Sequence, residues 1–504
     1  MQLPRLLRAV TPVGVTGTTG PAEVEVTGLA YDSRRVESGT AFFAIKGFVR
    51  DGHDFIPQAV EKGASCVFVE KPAALLPPVP PTVPVVEVAD SRQALAMAAA
   101  EFYNHPSKAM RIVGVTGTNG KTTTTHLVRT LLSTGGRKVG LIGTIHNIVD
   151  DEERPVERTT PESSDLQDLL RQMADAGSYA ATFEVSSHAL ELHRVDGCEF
   201  DIGVLTNVTQ DHLDFHRTFD QYLKAKAKLF ARLGEAYTGR PKKGPKVAVI
   251  NADDPNHEFF VNTCRVPVIT YSLTKPADIR AHDVVVEAGG VSFTVEAAGQ
   301  REPVRLRLTG RFNAYNALAA MGVGLAEGMP VREMADILAT FEAVPGRLER
   351  VDAGQDFAVI VDYAHSPDGL ENVLQTAREF ARGRVILVFG CGGDRDRKKR
   401  PIMGDIAGRY SDFAIVTSDN PRSEDPQDII HEVEAGIERR PPRWGYTTVV
   451  DREEAIRAAI GRAEKDDVVV IAGKGHETYQ IFKDRTIHFD DREVARQALG
   501  DRPR

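Results

Sequence analysis

Gly117-Thr118-Asn119-Gly120-Lys121-Thr122-Thr123 combines glycines, a cation and hydroxyls in the spacing of a phosphate cradle. Glycines let backbone N–H groups turn inward around phosphate oxygens, and a helix N-terminus behind them adds partial positive charge. Lys121 then reaches the terminal phosphates, and the Thr122 hydroxyl can ligate Mg²⁺. The general Walker pattern asks for a glycine five positions before Gly120, where this chain has Val115. The pattern departs by that one residue, while GTNGKT is intact. A glycine turn carrying a surface Lys-Thr pair is the alternative.

Other polar groups lie where such a cradle needs them. Mg²⁺ takes oxygen ligands, few of them from protein. EVSSHAL (184–190) ends an apolar run and offers Glu184; TNVTQDHLDFH (206–216) ends the next and offers Asp211 or His212. Ligands of open parallel sheets collect at strand ends, so two such clusters suggest one crevice. In FDQYLKAKAKLFARL (219–233), Phe219, Tyr222, Leu223, Phe230 and Leu233 form a helical apolar stripe, and Lys226 falls on it. A buried ammonium is costly unless paired or neutralised. Lys226 either snorkels to water or meets anionic groups or a modification in a phosphate and metal site. Farther on, Asp419-Asn420-Pro421-Arg422 follows the run FAIVTS. Asp-Asn-Pro alone is turn chemistry, but the Arg422 guanidinium can hold a carboxylate by two hydrogen bonds.

The elements that must position these groups are legible as alternating strands and helices. Apolar runs at 111–115, 138–142, 179–185, 200–208 and 246–252 alternate with helical patterns, as do those at 357–364, 384–390, 413–419 and 467–473. That rhythm predicts α/β domains with mostly parallel sheets. A first segment carries strands at 66–70 and 84–88, a proline-rich loop between them, and a helix over 91–106. Helices are expected over 311–328 and 331–342. With 504 residues at roughly 100–200 per domain, three domains are expected: 1–108, 109–344 and 345–504. The net charge of −9 argues against nucleic acid as a partner. Cys66, Cys198, Cys264 and Cys391 lack metal-ligand spacing, and no stretch approaches the ~20 apolar residues that span a bilayer. A cytoplasmic protein without membrane insertion is expected.

GTNGKTT, EVSSHAL, TNVTQDHLDFH, RFNAYNALAA, PGRLE and DYAHSPD together resemble the Mur ligase family, in order and over essentially the whole chain. These enzymes build the peptide stem of bacterial cell-wall precursors. The resemblance implies a small N-terminal α/β domain for a uridine-nucleotide substrate, a central P-loop-type ATPase domain and a C-terminal Rossmann-like domain. It implies ATP bound by Gly117, Thr118, Asn119, Gly120, Lys121, Thr122 and Thr123, with Asn313, Asn316, Arg347, Asp362 and His365 framing the nucleotide. Lys121, Lys226, Glu184 and His212 match catalytic positions. Thr122, Glu184 and His212 match metal-associated positions for Mg²⁺. Lys226 matches a carbamylated lysine, N6-carboxylysine, whose new carboxylate serves the metal.

Ser33 matches a uridine-nucleotide contact, and Thr159, Thr160, Ser186 and Arg194 match contacts to the sugar-peptide. Leu192 stands where relatives often have glutamine, and Phe48-Val49-Arg50 differs from the usual nucleotide-contacting loop. Asp419, Asn420, Pro421 and Arg422 match the family's signature for meso-2,6-diaminopimelate, with Arg395, Gly473 and Glu477 as further contacts. The implied partners are UDP-MurNAc-L-Ala-D-Glu and meso-2,6-diaminopimelate, joined through an acyl phosphate, with domain closure hinged near Ala343–Gly346. A lysine-adding or folate-polyglutamate ligase, a P-loop switch without ligation, and a binding module that has lost catalysis are the alternatives.

Overall fold

The computed structural model describes residues 1–18, 20–156, 158–235 and 242–502. The last two residues of the expected C-terminal domain lie outside the described residues. The chain divides into two compact units: Met1–Ile279 with Ala319–Pro330, and Arg280–Leu318 with Val331–Arg504.

The first unit opens with five short strands: β1 (Gly14–Thr16), β2 (Gly28–Ala30), β3 (Thr40–Phe43), β4 (Cys66–Val69) and β5 (Val85–Glu87). Their order is β1-β5-β4-β3-β2, with only β1 antiparallel to its neighbour. β3 and β4 are buried at every position because both faces carry a core, and Phe43 stacks on Phe68 at 4.2 Å. Helix Ser91–Phe102 starts where the Asp90 carboxylate accepts from the N–H groups of Arg92 and Gln93.

The central sheet uses β6 (Arg111–Thr116), β7 (Val139–Ile142), β8 (Asn147–Val149), β9 (Glu152–Arg154), β10 (Ala180–Glu184), β11 (Ile202–Leu205), β12 (Val247–Asn251) and β13 (Val268–Ser272). They lie in the order β13-β12-β11-β6-β10-β7-β8-β9. From β13 to β7 every pairing is parallel. β6 sits between β10 and β11, with Glu184 opposite Val115 and Leu205 opposite Thr116. Three C-terminal strand ends therefore meet at the residues that follow Thr116. At the other end of β6, Arg111 pairs with Asp201 at 2.9 Å and Glu327 at 2.7 Å, and Lys242 also bonds Asp201. Tyr31 and Arg35 tie the N-terminal segment to Asp165 of helix Ser163–Asp175.

The second unit begins with an antiparallel meander, β14 (Ile279–Glu287), β15 (Gly290–Ala297) and β16 (Gln300–Leu306). The expectation built on continuous apolar runs contained none of these three strands. A six-stranded sheet follows: β17 (Glu349–Arg350), β18 (Ala358–Asp362), β19 (Val385–Phe389), β20 (Phe413–Thr417), β21 (Tyr446–Val449) and β22 (Val468–Ala472), in the order β17-β18-β22-β19-β20-β21. All but the β17 pairing are parallel, and apolar clusters cover both faces. A hairpin, β23 (Tyr479–Ile481) and β24 (Thr486–His488), follows β22. Half-exposed Trp444 stands where the chain enters β21, its ring 5.0 Å from the Arg384 guanidinium and 5.9 Å from that of Arg443, and its backbone N–H donates to Asp412 O just before β20. The expected helices over 91–106, 311–328 and 331–342 end earlier, at Phe102, Ala326 and Thr340.

Candidate active site

The loop after β6 is built to expose backbone N–H groups. Gly117 has φ 152°, and a β-carbon there would lie 1.8 Å from Thr206 Oγ1. Gly120, at φ 83°, precedes helix Lys121–Leu132, whose first turn carries no acidic residue. The Thr206 hydroxyl and the Asn207 amide both donate to Asn119 O, and Asn119 N donates to Asn207 Oδ1. Thr118 Oγ1 sits 3.0 Å from Tyr222 Oη. Strand β6 and the segment after β11 thus hold one loop between them.

Lys121 Nζ donates to Gly117 O at 3.0 Å and Thr118 O at 2.8 Å. Lys226 Nζ donates to the same Gly117 carbonyl at 2.7 Å, from helix Phe219–Leu233. Lys226 is 1% exposed, and its ammonium lies 4.5 Å from the Tyr222 ring centre. Burial, reinforced by the Lys121 charge, pushes its pKa well below the usual lysine value; Asp211 opposes this. The ring of His212 lies 4.8 Å from His188 and 6.3 Å from Tyr222, which links it to the loop.

Glu184 ends β10 and is 1% exposed. It accepts from Thr144 N at 2.8 Å and Thr144 Oγ1 at 3.2 Å, and Thr144 Oγ1 contacts Thr159 Oγ1. Thr160 Oγ1 donates to Glu184 O and lies 3.2 Å from Ser186 Oγ. Arg194 donates to Thr160 O and pairs with buried Glu162, which also meets Arg158 and Arg92. Thr159, Thr160, Glu184, Ser186 and Arg194 thus form one connected group. Leu192 closes the short helix Ser187–Glu191, and Ser33 Oγ donates to Gln58 in the N-terminal segment. Phe48 and Val49 are exposed, with Phe48 edge-on to Phe215.

In the second unit, Asn316 Nδ2 donates to Asn313 Oδ1 at 2.9 Å on helix Arg311–Ala326. Asp362 ends β18 and accepts from Leu348 N and Ala364 N. Arg347 lies 4.9 Å over the Tyr363 ring, and His365 packs on the same ring. Residues 419–422 follow β20. Asp419 and Asn420 are buried, and Arg422, at φ 53°, donates to Gly393 O at 2.9 Å. Asn420 Nδ2 donates to Glu477 Oε2 at 2.8 Å. A β-carbon on Gly473 would lie 2.6 Å from Asp419 Oδ2, and one on Gly392 would crowd Arg422 and approach Arg395. The amino-acid candidates therefore gather at the C-terminal ends of β20 and β22 and the loop after β19.

Family models match three successive stretches: the Mur ligase family catalytic domain over residues 25–103, the Mur ligase middle domain over 115–324, and the Mur ligase glutamate ligase domain over 346–475. The UDP-N-acetylmuramoyl-L-alanyl-D-glutamate–2,6-diaminopimelate ligase of Geobacillus thermodenitrificans is 49% identical over 478 residues, 95% of this chain and 96% of the relative. The chain belongs to the Mur ligase family. A solved structure of a UDP-N-acetylmuramoyl-L-alanyl-D-glutamate–2,6-diaminopimelate ligase aligns with TM-score 0.67 at 33% identity, covering 96% of each chain. A MurF ligase from Thermotoga maritima, solved in complex with ADP, shares the fold with TM-score 0.60 at 21% identity, over 89% of this chain and 94% of its own.

Within this Mur ligase, several site residues lay outside the sequence expectation. Tyr222 was read as core, yet its hydroxyl holds Thr118. Thr206 and Asn207 lie in the TNVTQDHLDFH segment, where the sequence points to Asp211 and His212, yet they shape the loop. Thr144 follows β7 in an unremarkable stretch, and only the fold brings it to Glu184. Lys474, between two glycines, carries no expectation from the sequence; it is fully buried. Among the described residues no group of three or more His, Cys, Asp or Glu side chains is arranged to hold a metal ion. No helix of the described residues is long and apolar enough to cross a membrane.

Proposed function

We propose that this chain couples ATP cleavage to amide-bond formation between the D-glutamyl γ-carboxylate of UDP-MurNAc-L-Ala-D-Glu and an amine of meso-2,6-diaminopimelate. Support comes from the names of its close Mur relatives and, on the chain itself, from Arg422 beside the Asn420–Glu477 pair. Diaminopimelate differs from lysine by one carboxylate, and a guanidinium fork is the donor set that such a group needs. We assign the N-terminal substrate role to 1–108, the ATP role to 109–344 and the amino-acid role to 345–504. The substrates are soluble nucleotides and amino acids, so the working compartment is the cytoplasm.

The γ-carboxylate oxygen attacks the γ-phosphorus of ATP, ADP leaves, and an acyl phosphate forms. The amine nitrogen then attacks the acyl carbon, phosphate leaves, and the nitrogen gives up a proton. Two anions must first touch. Lys121 offsets that repulsion, and the loop N–H groups and helix N-terminus stabilise charge on the transferring phosphoryl group.

The donor chemistry fits Mg²⁺, a hard cation: Thr122 offers a hydroxyl, Glu184 a buried carboxylate, and His212 lies next to the loop. Mg²⁺ supplies charge neutralisation for the phosphate oxygens. As a carbamate, Lys226 would complete the set. Its burial favours the neutral amine, the form that adds to carbon dioxide to give a carboxylate with loss of one proton. Phosphate release with ATP and the UDP-sugar dipeptide, comparing diaminopimelate with lysine, tests the proposal. Diaminopimelate should support turnover at least tenfold better. Equal use of lysine defeats the substrate assignment, and release independent of either amine defeats ligation.

A further inference from the structure

Lys474 is fully buried in the amino-acid site, where burial pushes its pKa down and the carboxylates of Asp419, Glu477 and Asp491 act to keep it charged. Its ammonium donates to Asn420 Oδ1 at 3.0 Å and lies 3.4 Å from Glu477 Oε2. Asn420 Oδ1 accepts a second bond from Ile481 N at 3.0 Å. An amide oxygen held by an ammonium and a backbone N–H cannot exchange places with its nitrogen. The Asn420 nitrogen must therefore face Glu477, as it does at 2.8 Å.

The charges around this trio are mixed. Asp419, Arg452 and its partner Asp491 act on Lys474 through their charges; Tyr363 and Tyr479 feel both Glu477 and Asp419, Arg422 acts on Tyr479, and the His476 ring packs on Tyr363. Burial pushes Glu477 toward its neutral form, Asp419 adds to that push, and Lys474 is the strongest opposing charge. Without the ammonium, a buried carboxyl beside another carboxylate takes up a proton more readily. A neutral carboxyl then loses its ion pair with an incoming ammonium.

We propose that Lys474 is a positioning residue for the amino-acid substrate: it locks the Asn420 amide and keeps Glu477 anionic to receive a substrate ammonium. This deepens, and rests on, the ligase reading above. The test is steady-state kinetics across pH on full-length protein, with wild-type turnover measured first. Absence of diaminopimelate-dependent turnover in the wild type strikes the ligase reading itself; the variants judge Lys474.

Lys474→Met should raise KM for diaminopimelate at least tenfold at neutral pH, with kcat within about threefold and KM for ATP unchanged. The deficit relative to wild type should shrink as pH rises and Glu477 ionises again. Glu477→Gln should raise the same KM, and adding Lys474→Met to it should cost no more than about twofold further. An unchanged KM, a deficit constant across pH, or fully additive losses would overturn the proposal. Lys474→Gln, which keeps a donor for Asn420 but no charge, gives the same pH-dependent reading if the methionine variant does not fold.

Discussion

Two ammonium groups donate to one carbonyl oxygen at Gly117, and that crowding defines the residue-scale chemistry. Lys121 stands at the head of a helix, whereas Lys226 is sealed in and donates to that carbonyl from a second helix. Like charge and desolvation act in the same direction on Lys226, toward the uncharged amine. Lys226→Ala should therefore lower ligation by roughly 10²–10³-fold, the scale of losing one charge-stabilising group. Added formate or acetate should restore part of it, and normal turnover in the untreated variant removes the carbamate from the account. Lys226 was legible in sequence because an apolar helical stripe made a lysine conspicuous. Lys474 was not: glycines flank it, Glu477 is only three residues on, and Asn420, which takes its hydrogen bond, is brought to it by the packing of a separate loop.

Single elements carry the geometry that the side chains use. Gly117→Ala would drive a methyl group into Thr206 and strain a backbone at φ 152°. Equilibrium binding of a non-hydrolysable ATP analogue should weaken at least tenfold, and unchanged affinity would show that the loop tolerates reshaping. In the second unit, helices Arg452–Arg462 and Asp491–Gly500 are joined by a two-pronged ion pair at 2.8 Å, with both side chains fully buried. Asp491→Ala leaves the guanidinium without that partner and should cost about 3–5 kcal/mol in denaturant unfolding. A loss under about 1 kcal/mol would mean that water or another carboxylate takes over.

The parallel strands were legible because burial on both faces writes continuous apolar runs such as VILVF and VVVIA. β14–β16 escaped that search because their burial alternates along each strand, as period-2 strands with a single buried face do. Their signal was present: Ala288-Gly289 and Ala298-Gly299 are short glycine turns between alternating runs. The glycine turn between β6 and helix Lys121–Leu132 was legible, whereas the approach of Thr144 to Glu184 and of Glu162 to Arg194 needed the fold.

At the scale of the molecule, the loop that holds Lys121 and the loops that hold Arg422 and Glu477 belong to different compact units. A phosphorylated carboxylate and an attacking amine have to meet within bonding distance, so occupancy of all substrate sites should alter the relation of the units. Small-angle scattering with an ATP analogue, the UDP-sugar dipeptide and diaminopimelate should give a curve distinct from that of the free protein. Superimposable curves would count against closure hinged near Ala343–Gly346.

The second unit also carries a reporter of its own. Trp444 is the chain's single tryptophan, half-exposed and within 6 Å of two guanidinium groups at the entrance to β21. Indole emission during a urea titration is consequently blind to the first unit, while circular dichroism sums over both. A gap between the two midpoints would measure, without any label, how far one half of this ligase can melt while the other stays folded.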